Sequence, residues 1–259
     1  MLKIKVMKLY EVVFSPTGGT QKVSGFLSKE LGGKTVKIDL SDYKTDFSKF
    51  GLTGEDIAII AIPSYSGRVP VPAAERLSRI QANGAKAIVV CVYGNRAYED
   101  TLAELQDIVE RAGFTVIAAV AAVAEHSIAR RYATNRPDQE DYNRLRAFAR
   151  MIRAKLDRCD SSTPAIPGNR PYRKSGKVGL VPKITSACTG CGLCASRCPV
   201  AAIDRENPGK VDRKACISCM RCVSVCPHQA RKLNGFLLAI VNMMLKKACT
   251  VRKENELYI

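Results

Sequence analysis

Eight cysteines constrain the second half of the chain. The run Cys188-Thr-Gly-Cys191-Gly-Leu-Cys194-Ala-Ser-Arg-Cys198-Pro199 returns as Cys216-Ile-Ser-Cys219-Met-Arg-Cys222-Val-Ser-Val-Cys226-Pro227, each cysteine 28 residues after its counterpart. A C-x2-C-x2-C-x3-C-P spacing kept in two registered copies is an internal repeat. Any fold of this segment must turn many thiols inward within about fifty residues, too few to bury a sufficient apolar core unaided.

A [4Fe-4S] cube needs four thiolates converging from different directions. Three cysteines two residues apart can wrap three irons, while the fourth, followed by Pro, points to a neighbouring cube. The spacing therefore groups Cys188, Cys191, Cys194 and Cys226 around one cluster, and Cys216, Cys219, Cys222 and Cys198 around a second. Gly190, Gly192, Ala195, Ser196, Ser218 and Ser224 allow close backbone approach and N–H donation to sulfur. Structural zinc sites use pairs of ligands and leave the third cysteine and the CP terminator without a role. A disulfide framework belongs to exported proteins. The segment Met1–Lys8 alternates lysine with apolar residues and lacks the long apolar run of an export signal. A cytoplasmic protein is expected, with Cys91, Cys159 and Cys249 reduced.

The formal charge of +17 is unevenly spread. Residues 1–157 have 23 Lys and Arg against 18 Asp and Glu, whereas residues 158–259 have 18 against 6. Two cubes, each about −2 with its thiolates, would reduce the second half to about +8. That surplus fits docking to an acidic redox partner protein. No nucleic-acid motif accompanies it, so binding to nucleic acid is not expected.

Residues 1–157 alternate strand-like and helix-like patterns. Apolar strands are expected at 9–14, 34–40, 56–62, 85–93 and 114–124, with helices at 21–31, 71–82, 97–112 and 139–156. Five strands interleaved with helices imply an α/β fold with a doubly wound parallel sheet, whose ligands bind at the carboxyl ends of the strands. Three loops fall there. Ser15-Pro16-Thr17-Gly18-Gly19-Thr20 opens a helix and could cradle a phosphate, or serve only as a cap. Pro63-Ser64-Tyr65-Ser66-Gly67-Arg68 and Tyr93-Gly94-Asn95-Arg96-Ala97-Tyr98 each combine an aromatic with small residues, suited to a flat ring or simply to packing. After the fifth strand, Glu125-His126 could do proton chemistry or sit in an ordinary loop.

The turn Ser15-x-Thr17-Gly18-x-Thr20 resembles the FMN phosphate loop of flavodoxins, and the other two loops stand where flavodoxins hold the flavin ring. From about residue 8 to 233 the chain resembles fusions of a flavodoxin-like domain with a bacterial-type ferredoxin carrying two [4Fe-4S] clusters. The resemblance implies FMN, its phosphate on residues 15–20 and its isoalloxazine between Tyr65 and the 93–98 loop. The chain has no Trp, so Tyr65 would replace the tryptophan that many flavodoxins stack on the ring. Arg68 and Arg96 near the ring would favour anionic reduced flavin and make its couple less reducing than in a free flavodoxin.

The expected organisation is a flavodoxin-like domain (1–157), a basic Pro/Gly connector (158–182), a small α+β ferredoxin domain (183–233), and a C-terminal helix with tail (234–259). The apolar run Phe236 to Leu245 is far short of the ~20 residues of a spanning helix. It would pack on a domain or touch a membrane peripherally. Three functions remain: an electron carrier, an FMN-dependent reductase fed by its own ferredoxin domain, or a ferredoxin with an FMN-free partner-binding domain.

Overall fold

The computed structural model describes residues 8–174, 176 and 178–259; residues 1–7 of the alternating N-terminal segment, and Ser175 and Lys177 of the connector, lie outside them. Strands β1 (Lys8–Val13), β2 (Lys34–Asp39), β3 (Ile57–Pro63), β4 (Lys86–Tyr93) and β5 (Thr115–Val123) form a parallel sheet in the order β2-β1-β3-β4-β5. β3, β4 and β5 are almost wholly buried, as continuous Val/Ile/Ala runs require when helices cover both faces. Helices α1 (Gly19–Leu31) and α4 (Gln139–Asp157) cover one face through Val23, Leu27, Leu145 and Ile152. Helices α2 (Val71–Leu77) and α3 (Thr101–Arg111) cover the other through Ala73, Leu77, Leu102 and Leu105. This strand order is that of the flavodoxin-like doubly wound fold, with its switch point between β1 and β3.

Two helices are shorter than their apolar periodicity suggests. α2 ends at Leu77 because Gln81 leaves the helix to exchange backbone hydrogen bonds with Phe50 and Leu52. α3 starts at Thr101 because Glu99 lies at φ +47°, a left-handed conformation that ends any preceding turn.

The connector is a strap. Asp100, buried ahead of α3, accepts hydrogen bonds from the Asn169 and Arg173 amides at 2.8 and 2.7 Å. Arg170 pairs with Asp107 at 2.6 Å, Tyr172 also donates to Asp107, and Arg173 pairs with Glu99. The basic segment thus lies along an acidic edge of α3.

In the ferredoxin unit the 28-residue repeat becomes a pseudo-two-fold. Helical turns α5 (Leu193–Ser196) and α6 (Arg221–Ser224) occupy equivalent positions. β6 (Lys183–Ile184) pairs antiparallel with β7 (Arg231–Lys232), mirrored by a bridge between Ile203 and Val211. Positive φ angles recur in register at Gly190 and Ser218, Gly192 and Met220, Ala201 and Gln229. The first copy fills two of these positions with glycine, and the second tolerates strained side chains. The unit's own core is small: Cys194, Ala195, Cys198, Ala202 and Ile203.

Helix α7 (Gly235–Cys249) leads back to the first unit, where β8 (Glu256–Tyr258) adds a sixth strand, antiparallel to β5. The C-terminal segment 234–259 thus returns to the N-terminal unit, and its last strand extends that unit's sheet. It is fixed by a buried ion pair, Arg136 with Asp141, exposed by only 5% and 1%. Arg136 also donates to the Lys253 carbonyl at 2.8 Å, and Asn255 joins Asp141 at 3.0 Å and the Val123 amide at 2.9 Å. Replacing Asp141 by Ala leaves a buried guanidinium unpaired and is expected to cost about 3 kcal/mol or more. Denaturant unfolding measures the loss, and limited proteolysis should then cut near residues 250–255; unchanged stability and protection would refute this role for the pair.

Candidate functional site

The loops leaving β1, β3, β4 and β5 meet at the carboxyl edge of the sheet. In the first, the Ser15 amide donates to Ser41 Oγ at 3.0 Å, and Ser15 Oγ accepts the Gln21 amide at 2.9 Å. Gly18 lies at φ +91°, with open space where a Cβ would be. Among the described residues, no protein acceptor takes the amides of Thr17, Gly18, Gly19 or Thr20. Four unspent N–H groups at the start of a thirteen-residue helix fit a phosphate group.

The second loop is a two-residue hairpin turn. Tyr65 and Arg68 exchange backbone hydrogen bonds at 3.0 and 3.1 Å across Ser66 and Gly67, both at positive φ. This holds half-buried Tyr65 at the edge of the sheet. In the third loop a Cβ on Gly94 would lie 2.6 Å from the His126 ring, so glycine is required there for the imidazole to seat. His126 Nδ1 accepts the Ile128 and Ala129 amides at 3.2 and 3.1 Å, which puts the ring proton on Nε2. Burial, with a lesser contribution from the Arg96 charge, lowers the His126 pKa to about 4, so the imidazole is neutral at pH 7.

A cleft of ≈ 60 Å³ touches Thr17, Gly19, Ser64, Tyr65, Gly94 and His126, uniting all the sequence-predicted loops. It shares Tyr65, Tyr93, Gly94 and His126 with a larger cavity of ≈ 840 Å³. The far wall of that cavity is the ferredoxin loop Cys216-Ile217-Ser218, and its roof is Val241, Met244 and Leu245 of α7. Neither wall nor roof was apparent in the sequence, because no local pattern encodes contact between segments more than a hundred residues apart.

Three predicted cofactor contacts are corrected. Arg68 turns away from the cavity: Nε and Nη2 grip Glu104, both at 2.7 Å, and Nη1 donates to the Arg173 carbonyl. Asn95 is buried as a clamp on the tail, donating to the Cys249 and Val251 carbonyls and accepting the Lys253 amide. Tyr98 stacks edge-on against Tyr93 and donates to Glu256 of β8. Arg96 does line the large cavity but is paired with Glu99 at 2.8 Å. With Arg68 turned away onto Glu104, the expectation of a less reducing flavin rests on Arg96 alone, whose partner Glu99 is shared with Arg173.

Of the two cysteine sets, Cys198, Cys216, Cys219 and Cys222 line a single enclosed cavity, the grouping that the spacing predicts. Burial pushes the Cys219 and Cys222 thiols up to about 12. Arg231, 2% exposed, borders the same cavity; it donates to the Pro182 and Pro208 carbonyls, and its Nε–H has no partner among the described residues. A buried guanidinium with an unspent N–H suits an anionic iron–thiolate group. Sequence holds the signal for this residue: the 28-residue register sets Arg231 opposite apolar Ile203. In the other set, Cys191 is exposed, Cys188 and Cys226 are partly exposed and Cys194 is buried. Equivalent amides, Ala202 and Ala230, donate to Cys198 and Cys226 sulfur at 3.3 Å.

Arginines also join the two units. Arg76 of α2 donates to the Leu40 and Pro199 carbonyls, each at 2.5 Å, and Arg205 reaches the Tyr43 hydroxyl at 2.5 Å.

The 4Fe-4S dicluster domain family matches residues 181–231. Two proteins of Archaeoglobus fulgidus are similar to this chain. One is a tetrathionate reductase subunit (38% identity over 65 residues, 24% of this chain and 31% of that protein). The other is the indolepyruvate oxidoreductase subunit IorA (34% over 70 residues, 26% and 11%). The chain thus spans about a third and about a tenth of these relatives. Solved structures similar to it include a flavodoxin of Streptococcus pneumoniae TIGR4 (22% identity, TM-score 0.40, 57% of this chain and 98% of that one). Another is a flavodoxin from the domain Archaea (14%, TM-score 0.42, 58% and 99%). The fold assignment itself rests on the strand order and register. The chain thus joins a doubly wound sheet of flavodoxin-like strand order to a segment that matches the 4Fe-4S dicluster domain family, a pairing that supports a redox function.

His126 also shapes the pH response. Its pKa is about 4 in the fold against 6.5 unfolded, so the unfolded chain takes up the proton first as the solution is acidified. The stability it contributes is complete above pH 6.5 and declines as pH falls toward 4, by about 2 kcal/mol between pH 7 and 5. Denaturant titrations should show this slope flattened in His126→Gln; an identical slope in both proteins would remove His126 as its source.

Proposed function

We propose that the protein transfers electrons between two [4Fe-4S] clusters and a bound FMN, exchanging them with a separate redox protein. One arrangement carries the reading: the Cys216–Ser218 loop, next to one set of four cysteines, forms a wall of the cavity that the predicted flavin loops open into. Cys188, Cys191, Cys194 and Cys226 would hold one cluster and Cys198, Cys216, Cys219 and Cys222 the other. FMN would rest its phosphate on Ser15–Thr20 and its ring beside Tyr65, Tyr93 and Gly94. Such a flavin supplies two-electron and one-electron chemistry at one site. The protein's own part is to hold the groups close, with Gly94 and Gly18 leaving room and Tyr65 packed between flavin loop and cysteine loop.

The half of the ferredoxin unit around Cys188 and Cys191 is the face for the partner, since those thiols reach the surface and Lys183, Arg197 and Lys232 are exposed on the same unit. An acidic docking surface suits that charge.

A reductase acting on a small molecule is the second reading, favoured by the ≈ 840 Å³ of space beside neutral His126. Turnover with small oxidants, lost in His126→Gln while flavin content stays unchanged, would select it over the carrier.

Anaerobically purified protein is expected to contain about eight iron, about eight sulfide and about one FMN per chain. Cys219→Ser should remove about half the iron and leave the flavin; Gly18→Val, which strains a left-handed turn, should do the reverse. A protein with full iron and no affinity for FMN would leave only the iron–sulfur part of the reading.

A further inference from the structure

Helix α7 is apolar nearly all round, yet only Cys249 on it is buried. One side does pack: Val241, Leu245 and Cys249 meet Ala129 and Tyr132, and the Tyr132 hydroxyl donates to the Asn242 carbonyl at 2.5 Å. The opposite side is bare. Phe236, Met243 and Met244 are 75%, 71% and 74% exposed, Leu237 is 46% exposed, and Val251 beyond the helix end is 71% exposed. Positions 236, 240, 243 and 247 are spaced as one helical face, so the bare residues form a continuous strip ending at Lys247, with Met244 at its edge where it also borders the large cavity. A surface strip of this kind marks a contact site.

Charge identifies its occupant. From Arg231 to Lys253 the chain has six basic residues and no acidic one. Arg231 is buried and Arg252 is engaged with Asp138 and Glu140, which leaves Lys232, Lys246 and Lys247 exposed around the strip. A second copy of this chain would bring the same lysines and another +17 against it. An anionic surface would meet complementary charge along the whole helix. The helix has fifteen residues, and none in the described structure is long and apolar enough to cross a membrane. A short helix with an apolar strip and lysine flanks lies in the plane of a bilayer, its apolar side among the acyl chains and its lysines at the headgroups.

We infer that the outer face of α7 is a docking site for a membrane surface rich in anionic phospholipid, with Phe236, Leu237 and Met243 inserting and Lys246 and Lys247 meeting the headgroups. Docked in this way, the side of α7 that roofs the large cavity stays toward the protein, so the surface contact leaves the redox site assembled.

The test is flotation of the holo protein with vesicles of phosphatidylcholine alone or containing a third phosphatidylglycerol. Binding should be at least tenfold tighter on the anionic vesicles and should fall with added salt. Phe236→Asp combined with Met243→Asp should weaken binding at least tenfold, and Lys246→Gln with Lys247→Gln several-fold, with iron and flavin content unchanged. Because the chain contains no Trp, Phe236→Trp supplies a single emission that should shift to the blue on anionic vesicles only. Equal binding to both vesicle types, no binding to either, or no blue shift would overturn the inference. So would concentration-dependent self-association abolished by the Asp pair, which would make the strip an interface between copies.

Discussion

The buried pair of Arg136 and Asp141 holds the two halves of the chain in one relation. An ion pair removed from water is seldom stabilising in itself, because desolvation offsets much of the attraction. What it provides is direction. Its spare hydrogen-bonding groups are met by Lys253 and Asn255, and neighbouring Asn95 takes the carbonyls of Cys249 and Val251. A tail displaced by one residue would leave several buried polar groups unsatisfied, at a cost of about 1–3 kcal/mol each. β8 therefore adds to the sheet in one register. With the connector strapped along α3, the ferredoxin unit is tethered at both ends, and a segment with little core of its own is kept at the carboxyl edge of the sheet.

That placement makes the two halves of the repeat unequal. The backbone keeps the pseudo-two-fold closely enough to force Ser218 and Met220 into conformations that Gly190 and Gly192 adopt without strain. The side chains do not keep it. Arg231 replaces Ile203, and Arg221, whose buried Nε has no partner among the described residues and which has Asp39 at 4.0 Å, stands toward the first unit. On the proposed reading, one cluster lies against buried cations beside the flavin loops and its twin lies near solvent. Local charge and solvent exposure set cluster potentials, so two ligand sets of identical spacing would hold centres of different character. The repeat was duplicated in sequence; its function is divided by packing.

How much of this is legible in the sequence depends on whether the determinant is local. The five parallel strands stand out because burial on both faces demands unbroken apolar runs, and the cysteine grouping stands out because a cube imposes its spacing. The Ser15–Thr20 turn is readable for the same reason: its glycines and hydroxyls are contiguous. β8 is not, since Glu-Leu-Tyr carries no strand signal until β5 offers an open edge. Arg68, Asn95 and Tyr98 sit in the loops where flavin contacts were expected, but their partners, Glu104, Cys249 and Glu256, are 36 to 158 residues away. Their residue types suited a flavin ring as well as a polar side chain, and nothing in the local sequence indicated these distant partners.

The same distinction applies to the charge. A formal +17 suggests a diffuse attraction to anything acidic, yet the net figure hides which of the 41 basic side chains are held in internal pairs. Glu99 and Asp107 neutralise the connector arginines, Glu104 takes Arg68, and Asp138 and Glu140 take Arg252. Apart from Arg158 and Lys174 on the connector, the exposed cations left among the described residues of the second half are on the ferredoxin unit and at the end of α7. Those on the ferredoxin unit accompany surface thiols and polar loops, as an electron-transfer encounter needs, with weak binding and fast release. Those on α7 accompany bare Phe and Met, which contribute nothing to a brief polar encounter and are costly in water unless something apolar covers them. One basic surplus is thus divided between two surfaces with different physical requirements, and it is the apolar neighbours of each lysine, more than the net charge, that decide what it meets.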